Sequence, residues 1–170
     1  FLSWITGRGK YQEAKFDEDA DKIIEFYRNR GYVQARVGQP ELKVLEDSAD
    51  KETRWVQLAV PIDEGSRFKV GSLEFDGNNV VKSEFLRPYF KLEEGDWYSE
   101  KRIRDGLIKA RELYGAGGYF EFTGYPDLDF KAAAEGPIAG PAEPTVDVKM
   151  RLTEGDQYFV HRITFTGNTT

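Results

Sequence analysis

Two stretches of the chain carry the same apolar stripe. In FDEDADKIIEFYRNRGY, Phe16, Ala20, Ile23 and Tyr27 recur at i, i+4, i+7 and i+11, the spacing of one face of a 3.6-residue helix. IRDGLIKARELYGAGGY repeats the stripe with Ile103, Leu107, Ala110 and Tyr114. Each run closes in Gly-Tyr, at Gly31-Tyr32 and Gly118-Tyr119, and glycine takes the left-handed turn that ends a helix without a Cβ clash. The pattern predicts two long helices of one type, 87 residues apart.

The segments around them alternate. After Tyr32, VQARVGQPELKV and WVQLAV flank the polar stretch EDSADKE, which predicts an antiparallel hairpin. After Tyr119 the corresponding hairpin is interrupted at Lys131–Pro144 by KAAAEGPIAGPAEP, whose Gly, Pro and Ala predict an exposed loop. A second repeat brackets the helices: EGSRFKVGSLEFDGNN returns as EGDQYFVHRITFTGNTT, every matched residue 90 positions on, from Glu64 and Glu154 to Gly77 and Gly167. A fixed period of this length is the primary fold signal. In VVKSEFLRPYFKLEEGDWYSEK, Ser83 is expected to cap a short helix carrying Phe85, Leu86 and Tyr89, which Pro88 limits, and Ser99 to start the long one, with Glu100 at the positive end of its dipole.

The unit therefore reads strand, short helix, long helix, strand, strand, an α+β module in which two helices cover one face of a three-stranded sheet. Such a sheet has two edges and one middle, and an uncovered edge can accept an added strand from a partner.

Composition narrows the function. With 39% hydrophobic and 32% charged residues the 170-residue chain folds, and a net charge of −6 supplies no basic field for nucleic acid. No stretch approaches the ~20 apolar residues of a spanning helix, so the piece is expected to be soluble. Cysteine is absent and His161 is the only histidine, which leaves no thiolate site and no imidazole pair; no metal or cofactor is expected. Asp47, Asp50 and Glu52 lack the order of a calcium loop, and Glu93, Glu94 and Asp96 are too close in sequence to flank a substrate as paired carboxylates. Catalysis is not expected.

Four motifs in order carry a resemblance: the EG-x-x-aromatic entry at Glu64 and Glu154, F-x-GN at Phe75 and Phe165, EGDWYS at Glu94–Ser99, and FYRNRGY or LYGAGGY before each hairpin. Together they resemble the polypeptide-transport-associated (POTRA) modules of BamA-type outer-membrane assembly factors, and FLSWITGRGKY is similar to that branch. The resemblance implies tandem β-α-α-β-β modules: residues 1–65 lacking the first strand, with Phe1, Leu2 and Trp4 finishing the short helix; 66–155 complete; 156–170 the first strand of a third. It further implies a periplasmic location, a membrane β-barrel C-terminal to the modules in the parent chain, no enzymatic activity, and binding of unfolded outer-membrane proteins and accessory lipoproteins by β-augmentation. The alternative is a rigid spacer in a TamA-like or secretion-partner transporter.

Two sets of residues are candidates. The strand after each Gly-Tyr would offer a binding edge at Val33, Ala35 and Val37 in the first unit and Phe120 and Phe122 in the second. Glu64-Gly65 and Glu154-Gly155 would form inter-module hinges, the alternative being ordinary strand-end turns. Tyr27, Tyr32, Tyr114 and Tyr119 are expected in the core, and His161 in a strand.

Overall fold

The structure, a computed structural model, describes residues 13–47, 54–133 and 143–167. Its elements run α1 (Glu13–Arg28), β1 (Arg36–Val37), β2 (Glu41–Asp47), β3 (Arg54–Ala59), β4 (Ile62–Asp63), β5 (Lys69–Asp76), α2 (Ser83–Phe90), α3 (Glu100–Ala116), β6 (Thr123–Lys131) and β7 (Thr145–Thr153). The expected helical end at Phe1, Leu2 and Trp4, the hairpin tip at Asp50 and Glu52, and most of the Lys131–Pro144 loop lie outside the described residues. The chain divides into two compact units.

The first unit comprises residues 1–69, 96–100 and 131–145. Its hairpin is antiparallel in two pieces, β1 with β4 and β2 with β3, the latter with a bulge between Val44 and Glu46. The break falls where Pro61 cannot donate to a ladder. There the Gly38 amide takes the Pro61 carbonyl at 2.8 Å, and a Cβ on Gly38 would lie 2.7 Å from the Pro61 ring. Phe16, Ala35, Phe68 and Tyr98 are buried in this unit, and burial pushes the Tyr98 hydroxyl up to about 12. Buried Asp19 is paired with Lys22 at 3.0 Å, so its charge is not left unmet.

The second unit comprises residues 70–95, 101–130 and 146–170 and holds the three-stranded sheet, in the order β5-β7-β6. The central strand alternates strictly: Val146, Val148, Met150 and Leu152 are buried, while Lys149 and Arg151 reach Asp76 and Asp127 on the strands either side. From α3 come Ile103, Ala110 and Tyr114, in the predicted register, with Tyr114 stacked 4.3 Å from Phe122. Two glycines make the layers close. A Cβ on Gly106 would strike the Phe90 ring and lie 2.9 Å from the Phe90 Cα, and one on Gly124 would sit 2.7–2.8 Å from Leu152 and Leu107.

The short helix corrects one expectation. Its N-cap is Lys82 with no side-chain cap, and the Ser83 hydroxyl instead accepts from the Asn78 side chain at 3.1 Å. Its buried face is Leu86 and Phe90; Phe85 and Tyr89 point outward, at 63% and 37% exposure. An eight-residue helix has barely two turns, so the stripes 85/89 and 86/90 fit its sequence equally, and packing against Gly106 selects the second.

Candidate functional site

The sequence repeat is reproduced hydrogen bond for hydrogen bond. In the first unit the amide of Tyr32 bonds the carbonyl of Tyr27, that of Ala35 the carbonyl of Tyr32, and that of Phe68 the carbonyl of Gly31. In the second, Tyr119 bonds Tyr114, Phe122 bonds Tyr119, and Tyr158 bonds Gly118, the last at 2.9 Å in both units. Tyr27–Tyr32 and Tyr114–Tyr119 meet edge to face at 5.7 and 6.1 Å. Side chains repeat the theme with different chemistry, since Arg67 donates to the Arg30 carbonyl at 2.7 Å and Gln157 to the Gly117 carbonyl at 2.8 Å. The Gly-Tyr loop at the end of each long helix is thus a seat for the residues that follow Glu-Gly.

Glu64 and Glu154 lie at the centre of these seats. The Tyr114 hydroxyl donates to Glu154 at 2.6 Å, and the Val80 amide donates to the same oxygen at 2.8 Å. Burial pushes the Glu154 carboxyl up, but the Tyr114 hydroxyl and the amides of Val80, Asn79 and Val81 outweigh it and hold the group below the ordinary range. Burial first, then the charged partner, raises the Tyr114 hydroxyl well above its usual value. In the first unit Glu64 is exposed, and its carboxylate raises the Tyr27 hydroxyl above its ordinary value. The following glycines have φ of +64° at Gly65 and +71° at Gly155, a left-handed backbone that side chains resist, and a Cβ on Gly155 would also lie 2.7 Å from Glu121.

The candidate edge residues divide. Ala35 and Phe122 are core residues, which removes them as contacts for a peptide side chain; their amides are spent on the Gly-Tyr loop. Val33 lies in a turn, Val37 in the two-residue β1, and Phe120 is 65% exposed in the loop before β6. The true edges of the large sheet are β5 and β6. The outer side of β5 is already engaged: the Gly95 amide bonds the Val70 carbonyl at 2.8 Å, the Arg87 guanidinium the Leu73 carbonyl at 2.6 Å, and Lys69 pairs with Trp97 in an isolated antiparallel bridge. Along β6, among the described residues, no group outside the sheet bonds the backbone of residues 123–129. Pro126 within β6 suits an edge position, and Tyr125 stands 63% exposed there. None of the five candidate edge residues lies in β5 or β6.

The segment after Gly155 is held at its start. Besides the amide bond to Gly118, the Tyr158 hydroxyl donates to Glu121 at 2.9 Å. Residues 159–167, including His161, are exposed and carry no assigned strand among the described residues.

The POTRA family profile, described as a surface antigen variable number repeat, matches residues 2–65 and again 68–155, which accounts for the doubled Gly-Tyr seat. The chain belongs to the POTRA family. Among curated relatives, this POTRA chain is 29% identical over 168 residues to the outer membrane protein assembly factor BamA of Neisseria meningitidis serogroup B, covering 98% of the chain and 19% of that protein. BamA of Nitratidesulfovibrio vulgaris is 24% identical over 167 residues, 98% of the chain and 20% of that protein. The chain spans about a fifth of the length of these relatives. The fold is shared with a Haemophilus influenzae BamA fragment, POTRA3-5, at a TM-score of 0.68 and 24% identity, over 94% of this chain and 58% of that one. BamA of Haemophilus ducreyi lacking POTRA domains 1-3 matches at a TM-score of 0.57 and 21% identity, over 86% of this chain and 24% of that one. No helix among the described residues is long and apolar enough to cross a membrane.

Proposed function

We propose that this POTRA pair works in the periplasm as part of an outer-membrane protein assembly factor, receiving unfolded outer-membrane proteins and accessory lipoproteins by strand addition and passing them toward the parent chain's C-terminal β-barrel. The activity is binding, with no covalent step. One observation carries the reading. Of the two edges of the β5-β7-β6 sheet, β5 is engaged by Gly95, Trp97 and Arg87, while β6 keeps an unclaimed backbone edge over residues 123–129 among the described residues. An incoming extended segment gains a ladder of main-chain hydrogen bonds there, with Tyr125 on the strand to contact its side chains. Backbone pairing reads little sequence, as suits a receiver of many unfolded chains.

The test is a titration of 15N-labelled protein with a soluble peptide from an outer-membrane strand. Shifts concentrated in β6 are expected, and their absence at millimolar peptide removes strand addition as the mechanism.

A second reading, the rigid spacer, is favoured by the repeated seats, because the residues after Glu-Gly bond the Gly-Tyr loop of the preceding long helix at 2.9 Å in both units, and Glu154 is tied to Tyr114. On that reading Gly65→Pro, which denies a φ of +64°, impairs assembly. A proline in the hairpin, such as Val37→Pro, then acts only as far as it destabilises the fold. Comparing the two variants at matched stability separates scaffold geometry from edge binding.

A further inference from the structure

The second unit exposes a groove that neither the edge nor the seats use. It lies between the end of α2 and the outward side of α3, encloses about 470 Å3, and is lined by Pro88, Tyr89, Lys91, Arg102, Ile108 and Lys109, with Asp105 also at its wall. Ile108 is 50% exposed, Tyr89 is partly exposed, and Phe85 continues the same side of α2 one turn earlier. Neither residue fills the core, since Leu86 and Phe90 do so from α2 and Ile103 and Ala110 from α3.

Three cations, Lys91, Arg102 and Lys109, and one carboxylate, Asp105, line the groove, in a chain whose net charge is −6. Lys109 shares its charge with Glu112 at 2.7 Å. Lys91 pairs with no carboxylate among the described residues. Among the described residues Lys91 also holds the one positive φ at a non-glycine position, +48°, at the C-cap of α2 where glycine is the unstrained choice. The helix end thus keeps a strained lysine at the rim of an apolar groove.

We infer that the α2/α3 groove docks an acidic amphipathic helix of a partner protein, its aliphatic side chains set against Tyr89 and Ile108 and its flanking carboxylates against Lys91, Arg102 and Lys109. A groove between two helices accepts the ridge of a third, and an apolar stripe edged by carboxylates matches both its floor and its charge. This surface is separate from the β6 edge, so one chain can hold a helical partner and an extended segment at once.

The experiment measures fluorescence anisotropy of a labelled 18-residue helical peptide bearing a leucine stripe with flanking glutamates, against the same peptide with lysines in place of the glutamates. The glutamate peptide is expected to bind, more tightly at low salt, with amide shifts at Tyr89, Lys91 and Ile108, and the lysine peptide to bind at least about tenfold more weakly. Ile108→Asp and Lys91→Glu should each weaken the glutamate peptide by about tenfold, while leaving binding of an extended peptide at β6 unchanged. Lys91→Gly is the control for folding: it relieves the left-handed lysine, so the thermal midpoint holds or rises while helix binding falls. Equal affinity for both peptides, shifts confined to β6, no binding at millimolar peptide, or self-association through the groove without peptide binding would each overturn the inference.

Discussion

Removing the Glu154 carboxylate should destabilise the second unit far more than its position at a strand end suggests. Glu154 is 9% exposed and accepts from the Tyr114 hydroxyl at 2.6 Å and the Val80 amide at 2.8 Å, with Asn79 and Val81 adding further amides. Glu154→Ala leaves the Tyr114 hydroxyl, on a side chain 1% exposed, without its acceptor. A buried donor left unmet costs about 1–3 kcal/mol, and the backbone amides near exposed Val80, which water can reach, add less, so a total of about 2–4 kcal/mol is expected. Tyr114→Phe removes one bond but leaves the carboxylate its amides, for about 1–2 kcal/mol. The two are one interaction, so the double variant should lose clearly less than the sum of the singles. The homologous position gives the contrast: Glu64 is exposed, and Glu64→Ala should cost far less than Glu154→Ala because water replaces what is lost. Urea unfolding followed by circular dichroism measures all four variants, and hydrogen exchange at residues 79–81 locates the effect. A loss below about 0.5 kcal/mol for Glu154→Ala, or strict additivity with Tyr114→Phe, refutes the claim that the seat is a stabilising unit.

Other consequences are equally specific. Because its hydrogen bonds hold Glu154 below its ordinary value of 4.5, the stability it contributes is fully present above that pH and is lost as pH falls through the lowered folded value; Glu154→Gln should flatten that part of an acid unfolding curve. Gly106→Ala gains about 1 kcal/mol of helix propensity. It meets the Phe90 Cα at 2.9 Å, which no rotamer change relieves, so overpacking of about 1–3 kcal/mol should win and lower the thermal midpoint. Gly118→Ala, at φ +89° with its Cβ 2.6 Å from the Tyr158 carbonyl, should release residues 156–167 from the seat, read as faster exchange at the Tyr158 amide. Arg151→Ala breaks only exposed pairs to Asp76 and Asp127 and should leave the urea midpoint nearly unmoved.

The sequence was most legible where long elements carry a period. The α3 stripe of Ile103, Ala110 and Tyr114 is buried as its spacing predicts. The repeat at 87 and 90 residues was legible as a pattern, and it marks the tyrosines and glutamates that form the seats. Their pairing was not, because a hydrogen bond across 40 residues of chain depends on where two elements dock. The buried side of α2 was illegible for a related reason, since two turns hold two equally apolar stripes and Gly106 decides between them. Phe122 stands one residue before β6 and stacks on Tyr114; strand order, and with it the shielding of β5 by Arg87 and Gly95, appears only in three dimensions.

The central claim is that β6, and not β5, is the open edge that takes an extended partner. Its most direct measurement is the 15N amide map of the POTRA chain titrated with a soluble outer-membrane strand peptide. The account predicts saturable shifts and slowed exchange along Thr123–Asp129, with Lys69–Asp76 unmoved. Shifts along β5, or none in either strand at millimolar peptide, would contradict it.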